Sequence, residues 1–253
     1  MTPPEIRISV CLAAYNGEKY LADQLDSILP QLGIHDELII SDDNSTDATA
    51  DIIRSFKSRD SRIIFLVNQT QQGPAANFEN ALRAARGKFI FLSDQDDIWL
   101  VDKIERILPL LDNYLLIVHD AIVTDEQLNA ILPSYLQYRQ AATGFWRNLY
   151  KNGFTGCCMA FRRELLDIAL PFPPKVLNHD HWLGSLALLF DKVIFIQEPY
   201  IYFRRHNNNV SPGIERNILS NPFRLHLRSQ MLYHIFVRII KFKIKKERFH
   251  GTR

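Results

Sequence analysis

The sequence is poor in the features that mark special protein classes. It has only 3 cysteines, Cys11, Cys157 and Cys158, in 253 residues. An odd count that includes two sequence neighbours builds no disulfide framework and no zinc site, and suits a reducing compartment such as the cytoplasm. Long apolar runs are missing. The longest, Trp182 to Phe190, is about half of the ~20 residues that a bilayer span needs. Met1 to Val10 carries Glu5, Arg7 and two prolines, so no signal peptide is expected there. A glycine-rich phosphate loop is also lacking, because only Gly17 follows the first apolar run. Hydrophobic residues make up 47% and charged residues 23%, which excludes disordered and fibrous classes for most of the chain. The length suits one large domain, or one domain with an appendage.

Charge, by contrast, is unevenly placed. Residues 214–253 hold ten Lys/Arg against Glu215 and Glu247, a net +8. The other 213 residues hold 20 basic and 26 acidic residues, a net −6. An acidic body with a basic tail points to two different jobs. Nucleic-acid binding through the tail is disfavoured, since the acidic body would repel phosphates.

The first 120 residues alternate strand and helix. Apolar, β-branched runs predict buried strands over 6–13, 37–41, 63–67 and 88–92. Helical spacing predicts helices over 18–31, 48–57 and 75–86, with Ser45 or Thr46 as a cap of the second and Gly87 closing the third. Strand–helix–strand at this spacing implies a parallel sheet covered on both faces. Ligands then bind beyond the carboxyl ends of the strands. Asp42 and Asp43 follow the second strand there, and Asp94, Asp96 and Asp97 the fourth. Both clusters are expected in one crevice. After residue 120 the alternation weakens to a strand over 115–119, short helices over 145–150 and 163–170, a helix over 180–190 and a strand over 192–197. Helical periodicity returns over 222–248, where Leu225, Leu232, Ile235, Ile239 and Phe242 form a stripe.

Four motifs carry candidate chemistry. Ser93-Asp94-Gln95-Asp96-Asp97 crowds three carboxylates, which repel one another unless a cation sits among them. Asp-x-Asp at a strand end offers oxygen ligands to Mg²⁺ or Mn²⁺; the plain alternative is a solvated turn. Asp42-Asp43 offers acceptors for a pyrimidine N3–H, or simply acids near a helix dipole. Asn178-His179-Asp180-His181-Trp182 sets a carboxylate between imidazoles, as a general base or as a helix cap. Arg204-Arg205-His206-Asn207-Asn208-Asn209 offers cations and an imidazole for a diphosphate or a metal, or is an ordinary basic loop.

Taken in order, "ISVCLAAYNGEKYLADQLDSI", "LIISDDNSTDATADII", "FIFLSDQDDIW", "GFTGCCMAFRREL", "HDHWLG" and "YFRRHNNNVS" resemble family 2 glycosyltransferases of the GT-A fold, over roughly Ile6 to Ser211. "SDQDDIW" and an "HDWW"-like motif resemble bacterial rhamnosyltransferases of surface-polysaccharide assembly. The resemblance implies an α/β fold, with a mostly parallel central sheet flanked by helices over 1–213; charge and helical periodicity add a basic amphipathic helical extension over 214–253. It implies that Ala14, Tyr15 and Asn16 line the nucleobase pocket and that Asp42 receives the base N3–H. Asp43, Asp94 and Arg204 would be donor-side residues, Asp94 towards the ribose. Asp96 and His206 would hold Mg²⁺ or Mn²⁺, and Asp180 would be the base that activates the acceptor. Trp99, Thr155, Gly156, His181 and Trp182 would lie on the acceptor side. The chain departs from the pattern at Ala13, where many members have proline, and at His181, which replaces a tryptophan. Asn44 replaces a common glycine and tolerates the left-handed conformation such a turn needs.

The implied activity is an inverting, metal-dependent transfer of L-rhamnose from dTDP-rhamnose to a lipid-linked saccharide, in the synthesis of O-antigen, capsule or cell-wall polysaccharide. The alternatives are a hexosyltransferase using a UDP-sugar and a non-catalytic glycan-binding module. A nucleotidylyltransferase would show the glycine-rich loop that this chain lacks. The partners implied are a nucleoside-diphosphate sugar and a polyprenyl-linked acceptor, with no nucleic acid. The tail over 222–248 is either an interfacial helix on the cytoplasmic face of the inner membrane or a terminal helix packed on the body.

Overall fold

A computed structural model describes residues 5–69, 72–174, 178–206, 209 and 221–250, the last segment with side chains over 226–242. The expected strands form: β1 (Ile8–Ala14), β2 (Glu37–Asp42), β3 (Ile63–Val67) and β4 (Phe89–Asp94). β1, β2 and β4 are buried almost throughout, as near-continuous apolar runs require. Between them run α1 (Leu21–Ile28), α2 (Thr49–Arg59) and α3 (Pro74–Ala84). α3 packs on β1 and β2, and α2 on β3.

The chain continues through β5 (Ile98–Trp99), α4 (Lys103–Ile107), β6 (Leu116–Thr124), β7 (Ala130–Leu132), α5 (Tyr135–Arg139) and α6 (Phe145–Tyr150). It closes with β8 (Met159–Arg162), α7 (Glu164–Ala169), α8 (His179–Phe190), β9 (Val193–Arg204) and α9 (Asn221–His250). One sheet runs in the order β3-β2-β1-β4-β8-β6-β9-β5, with β7 on β6. β3, β2, β1 and β4 are mutually parallel. β8 is antiparallel to both β4 and β6, and β9 returns parallel to β6.

This order explains where a ligand fits. The chain steps outward from β1 to β2 and β3, then crosses back to β4 on the other side of β1. The carboxyl ends of β1, β2 and β4 flank the point where direction reverses, and a crevice opens there. Register fixes its walls: Ala14 pairs with Asp42, and Ala13 with Asp94.

Several expectations change. Ser45 and Thr46 do not cap α2, whose N-cap is Ala48 with no side-chain cap bond. α3 stops at Ala84, and Gly87 instead gives its N–H to the Ser9 hydroxyl on β1 at 2.8 Å. β6 and β9 are longer than their apolar runs. β9 carries Gln197, Glu198 and Pro199, and the β6–β9 register shifts near Asp120. β8 has no strand-like signal because its four residues sit between Cys157-Cys158 and Arg163.

In the tail, Ile235 is 3% exposed, and Met231, Ile239 and Phe242 pack against the core. Arg238 donates to the carbonyls of Ile168, Leu170 and Pro171 at the end of α7. The stripe offered to a membrane is therefore spent on the body over 231–242. The division at 213/214, Asn207, Asn208, Ser211, and the side chains of Leu225 and of 243–248 lie outside the described residues. No helix among the described residues is long and apolar enough to cross a membrane.

Candidate active site

The nucleotide end is built from the turn after β1. Asn16 and Asn44 hold left-handed backbones (φ 46° and 62°), the second as expected for a residue standing in for glycine. The Asn16 N–H donates to Ser45 Oγ at 2.8 Å, and Asn16 Oδ1 accepts from the Thr46 N–H at 2.9 Å. Asp42 accepts from both the N–H and the hydroxyl of Ser45. Asp43 accepts from Asn68 Nδ2 and the Gly73 N–H, each at 2.7 Å. Neither acid serves the α2 terminus, but Asp43 accepts from the N-cap N–H of α3, which fits the dipole reading for that residue. Asp42 sits at the crevice, whereas Asp43 braces the loop before α3. Tyr15 remains 52% exposed at the mouth.

Gln95, which has no separate role in the sequence reading, ties this turn to the acidic loop. Its Oε1 accepts from the Tyr15 N–H at 2.8 Å, and its Nε2 donates to the Tyr15 carbonyl at 2.9 Å. A Cβ at Gly17 would lie 2.3 Å from Gln95 Oε1, so this pairing needs glycine there. Asp96 and His206 meet, with His206 Nε2 2.8 Å from Asp96 Oδ2 and Asn209 Nδ2 3.0 Å from the same oxygen. Arg204 is 4% exposed, lies over the Tyr20 ring at 4.6 Å and reaches Asp23 at 3.4 Å.

Asp97, expected in the acidic cluster but given no role of its own, is fully buried. Its Oδ1 accepts from the Arg204 N–H at 3.3 Å, and its Oδ2 has no hydrogen-bond partner. Ligand atoms of Asp94, Asp97 and Cys157 lie within 4.8 Å of one another. Burial, then repulsion from Asp96, pushes the Asp94 and Asp97 carboxyls above their usual range. Lys103 is the buried cation beneath them. It is 0% exposed, with Nζ 3.1 Å from the Cys157 carbonyl and 3.9 Å from the Trp99 ring centroid. Burial pulls its pKa down to about 8. The carboxyl oxygens of Asp94 and Asp97, and beside them the Asp96–His206 pair, are donors of the kind that suits Mg²⁺ or Mn²⁺, so the residues fit a divalent cation. The Cys157 thiol, held protonated by its bond to Cys158 and by burial, is a poor ligand for such an ion.

Across the crevice, α8 begins at His179 with Asn178 as its N-cap. Asp180 is thus not the cap. It accepts from the His181 N–H and meets Asn152 Nδ2 at 3.5 Å. Burial raises its pKa to about 6. Its charge is also felt at Asp94, which ties the two acidic centres into one field. Arg139 stands by, giving Nη2 to the Asn152 carbonyl at 2.6 Å, with Nε unpartnered. His179 stacks on Phe78 at 4.0 Å, and its Nε2 occupies the space that a Cβ at Gly156 would need. Burial lowers His179 to about 3 and His181 to about 4, so both imidazoles are neutral at pH 7.

Of the expected acceptor-side residues, Gly156 lies against His179, and His181 gives its N–H to Asp180. The two tryptophans are buried instead. Trp182 is 0% exposed with its indole N–H on the Ala169 carbonyl at 3.0 Å, and Trp99 is 3% exposed under Lys103. Both are core residues, because a large ring beside an apolar strand or helix gains more from burial than from presenting a face to solvent.

A parallel nucleotide-binding half ending in crowded carboxylates, with a second carboxylate across the crevice, defines a nucleotide-sugar transferase of the GT-A type. A family model for glycosyl transferase family 2 matches residues 9–168. The chain belongs to this family and is a glycosyltransferase. It is 30% identical over 215 residues to the putative teichuronic acid biosynthesis glycosyltransferase TuaG of Bacillus subtilis, with 81% of each chain covered. It is 31% identical over 198 residues to the UDP-Glc:alpha-D-GlcNAc-diphosphoundecaprenol beta-1,3-glucosyltransferase WfgD of Escherichia coli (74% and 71% covered). It is 28% identical over 218 residues to the dTDP-rhamnosyl transferase RfbG of Shigella flexneri (78% and 72%). In three dimensions it matches S. aureus TarS 1–349 in complex with UDP-GlcNAc at a TM-score of 0.68 and 19% identity, over 92% of this chain and 66% of TarS 1–349. It thus spans about two thirds of that TarS fragment. The mannosyltransferase PcManGT from Pyrobaculum calidifontis, in complex with GDP-Man and Mn²⁺, matches at 0.57 and 19%, over 94% and 65%. At these identities the structural likeness concerns the fold alone.

Proposed function

We propose that this protein transfers a sugar, with inversion, from a nucleoside diphosphate to a hydroxyl of a lipid-linked saccharide in bacterial polysaccharide synthesis, at the cytoplasmic face of the membrane. One observation carries the reading: Asp180, held by Asn152 and the His181 N–H at the start of α8 and raised to about 6 by burial, is a second carboxyl centre apart from the acidic loop after β4. A carboxylate of that affinity is ionised at pH 7 yet a better proton acceptor than a free aspartate.

Asp42 has one hydrogen bond on each oxygen, which leaves lone pairs for the N3–H of a pyrimidine base. Tyr15 offers a ring face beside it. Asp94 would face the ribose, and Arg204 holds the end of β9 against Asp97. Asp96 and His206, with Asp94 near, would hold Mg²⁺ or Mn²⁺, which when bound offsets the charge of the departing diphosphate. The acceptor oxygen attacks the anomeric carbon as the bond from that carbon to the diphosphate oxygen breaks. The hydroxyl proton passes to a carboxylate oxygen of Asp180. Asn152 and the His181 N–H hold that carboxylate in place. The neutral His179 and His181 add no competing charge.

The donor read from the sequence is dTDP-rhamnose, in line with the name of RfbG. A UDP-hexose is the second reading, favoured by the name of WfgD and by the UDP-GlcNAc in TarS. The polyprenyl acceptor is likewise carried over from WfgD. Purified protein screened with nucleotide sugars for release of nucleoside diphosphate tests the reading. Release that depends on a saccharide acceptor supports it. No release with any donor would return the chain to a glycan-binding module.

A further inference from the structure

If the acceptor is lipid-linked, the protein must meet a lipid surface somewhere, and the stripe read from the tail is not available for it. This inference rests on that reading of the acceptor. Residues 127–163 contain no aspartate or glutamate, yet hold Arg139, Arg147, Lys151, Arg162 and Arg163. Two of these cations are spent: Arg162 pairs with Glu164 and Asp191, and Arg163 bonds the Ala85 carbonyl. Arg147 and Lys151 bond only the neutral Gln140, and neither pairs with an acid among the described residues.

Between them, α6 exposes Trp146 at 72% and Tyr150 at 71% while burying Asn148 and Leu149. The helix is therefore held by its inner face and turns two aromatics to solvent. Arg228 of α9 lies 4.2 Å over the Tyr150 ring and donates to its carbonyl at 2.6 Å. From there α9 carries a second apolar stripe, away from the buried one: Tyr233, Phe236 and Ile240 are 64%, 63% and 40% exposed. Spacings of three and four residues place them on one face.

We propose that the α6 edge and the outer stripe of α9 dock on an anionic lipid bilayer. Tryptophan and tyrosine rings settle at headgroup depth, where one end is apolar and the other wet. Arg147, Lys151 and Arg228 supply charge complementary to anionic headgroups. The surface continues into the site. Asn148 accepts from the Gly153 N–H at 3.0 Å, and Asn152 reaches Asp180, so the docked edge adjoins the loop that orients the base. A sugar on a polyprenyl diphosphate would then reach Asp180 without leaving the membrane.

Flotation of the intact chain with vesicles tests this. With phosphatidylglycerol/phosphatidylcholine vesicles at low salt the protein floats, and with pure phosphatidylcholine it does so at least fivefold less. Raised salt weakens the binding. The pair Trp146→Glu and Tyr150→Glu lowers it at least tenfold, and Phe236→Glu alone severalfold. Ile34→Glu, at a site 85% exposed and outside this surface, leaves it unchanged. A thermal melt and transfer to a water-soluble saccharide acceptor report whether the variants fold. Wild-type protein that ignores anionic vesicles, or a double variant that floats as well as wild type, overturns the proposal. So does a dimer in sedimentation that Trp146→Glu splits, since the face would then join two copies. Transfer to the soluble acceptor without flotation sinks this inference alone, whereas flotation without any transfer sinks the proposed function alone.

Discussion

The two sides of the crevice are held in different ways. On the nucleotide side, the carboxylates of Asp42 and Asp43 accept from Ser45, Asn68 and Gly73, and Gln95 clamps Tyr15 from both ends. On the acceptor side, Nε2 of His179, Nε2 of His181 and Nε of Arg139 are buried without partners, and Asp180 is held above its ordinary proton affinity. A buried polar atom with no partner costs about 1–3 kcal/mol. The turn after β1 is thus braced before its ligand arrives, while unpartnered buried atoms lie on the acceptor side and, around the acidic loop, at Asp97 Oδ2 and Arg204 Nε. Strain of this kind gathers where chemistry is done.

Asp180→Asn strikes the acceptor side hardest. Turnover should fall by roughly 10²-fold or more, with donor binding nearly unchanged. Wild-type kcat/KM should drop as pH falls below about 6, because the base must be ionised. The same change should stabilise the fold. A carboxyl raised in the folded state contributes stability that is present below its unfolded pKa and lost as pH rises through its folded one. At pH 8 wild type therefore carries the cost of a buried charge that asparagine lacks. The variant should gain about 1–3 kcal/mol there and nothing at pH 4. A variant that keeps its turnover, or that is no more stable at pH 8, would remove the contrast between the two sides.

Asp96→Ala tests the ground between them. It should weaken nucleoside diphosphate binding about tenfold or more, on the scale of one lost charge-assisted contact. It should also abolish the response to added Mn²⁺ or Mg²⁺. Full wild-type activity in excess chelator would take the metal out of the proposed reaction.

The two sides also differ in how far the sequence announces them. β1 to β4 were legible because each is a short buried apolar run ended by polar turn residues, and Asp42, Asp94 and Asp96 stand at those ends. The meeting of Asp96 with His206 was legible only through resemblance, since 110 residues separate them. Asp97 was visible as part of the acidic run, whereas Lys103, Arg139 and Asn152 gave no local signal. A lysine at the start of a charged helix reads as surface, and only the fold puts Lys103 over the Trp99 ring. Trp99 and Trp182 misled for the converse reason: motif position marks them as contacts, while ring size sends them to the core. The acid-free stretch 127–163 was visible in the composition and hidden by averaging the charge over the whole body.

Gln95→Ala should show that the nucleotide side is preorganised rather than catalytic. It removes two hydrogen bonds to the Tyr15 backbone, each worth about 1 kcal/mol. The KM for donor should rise about five- to thirtyfold with kcat within a factor of about two. A kcat that falls while KM stays put would mean that Gln95 serves the reaction and not the pocket.

The smallest effect concerns the base. Thymine and uracil present the same N3–H to Asp42, so that carboxylate cannot tell them apart. The difference is one methyl group, and burying it in the pocket beside Tyr15 is worth about 0.8 kcal/mol, or roughly fourfold in affinity. At saturating ligand the tighter nucleotide stabilises by that same amount, which for a domain of this size shifts Tm by about 2 °C. A dTDP-sugar should therefore protect against thermal unfolding slightly more than the matching UDP-sugar, with the gap closing in Tyr15→Ala if that ring shelters the methyl. The reverse ranking moves the donor to a UDP-hexose. Equal shifts that persist in Tyr15→Ala would mean that the pocket leaves the methyl in water, so that the sugar rather than the base selects the donor.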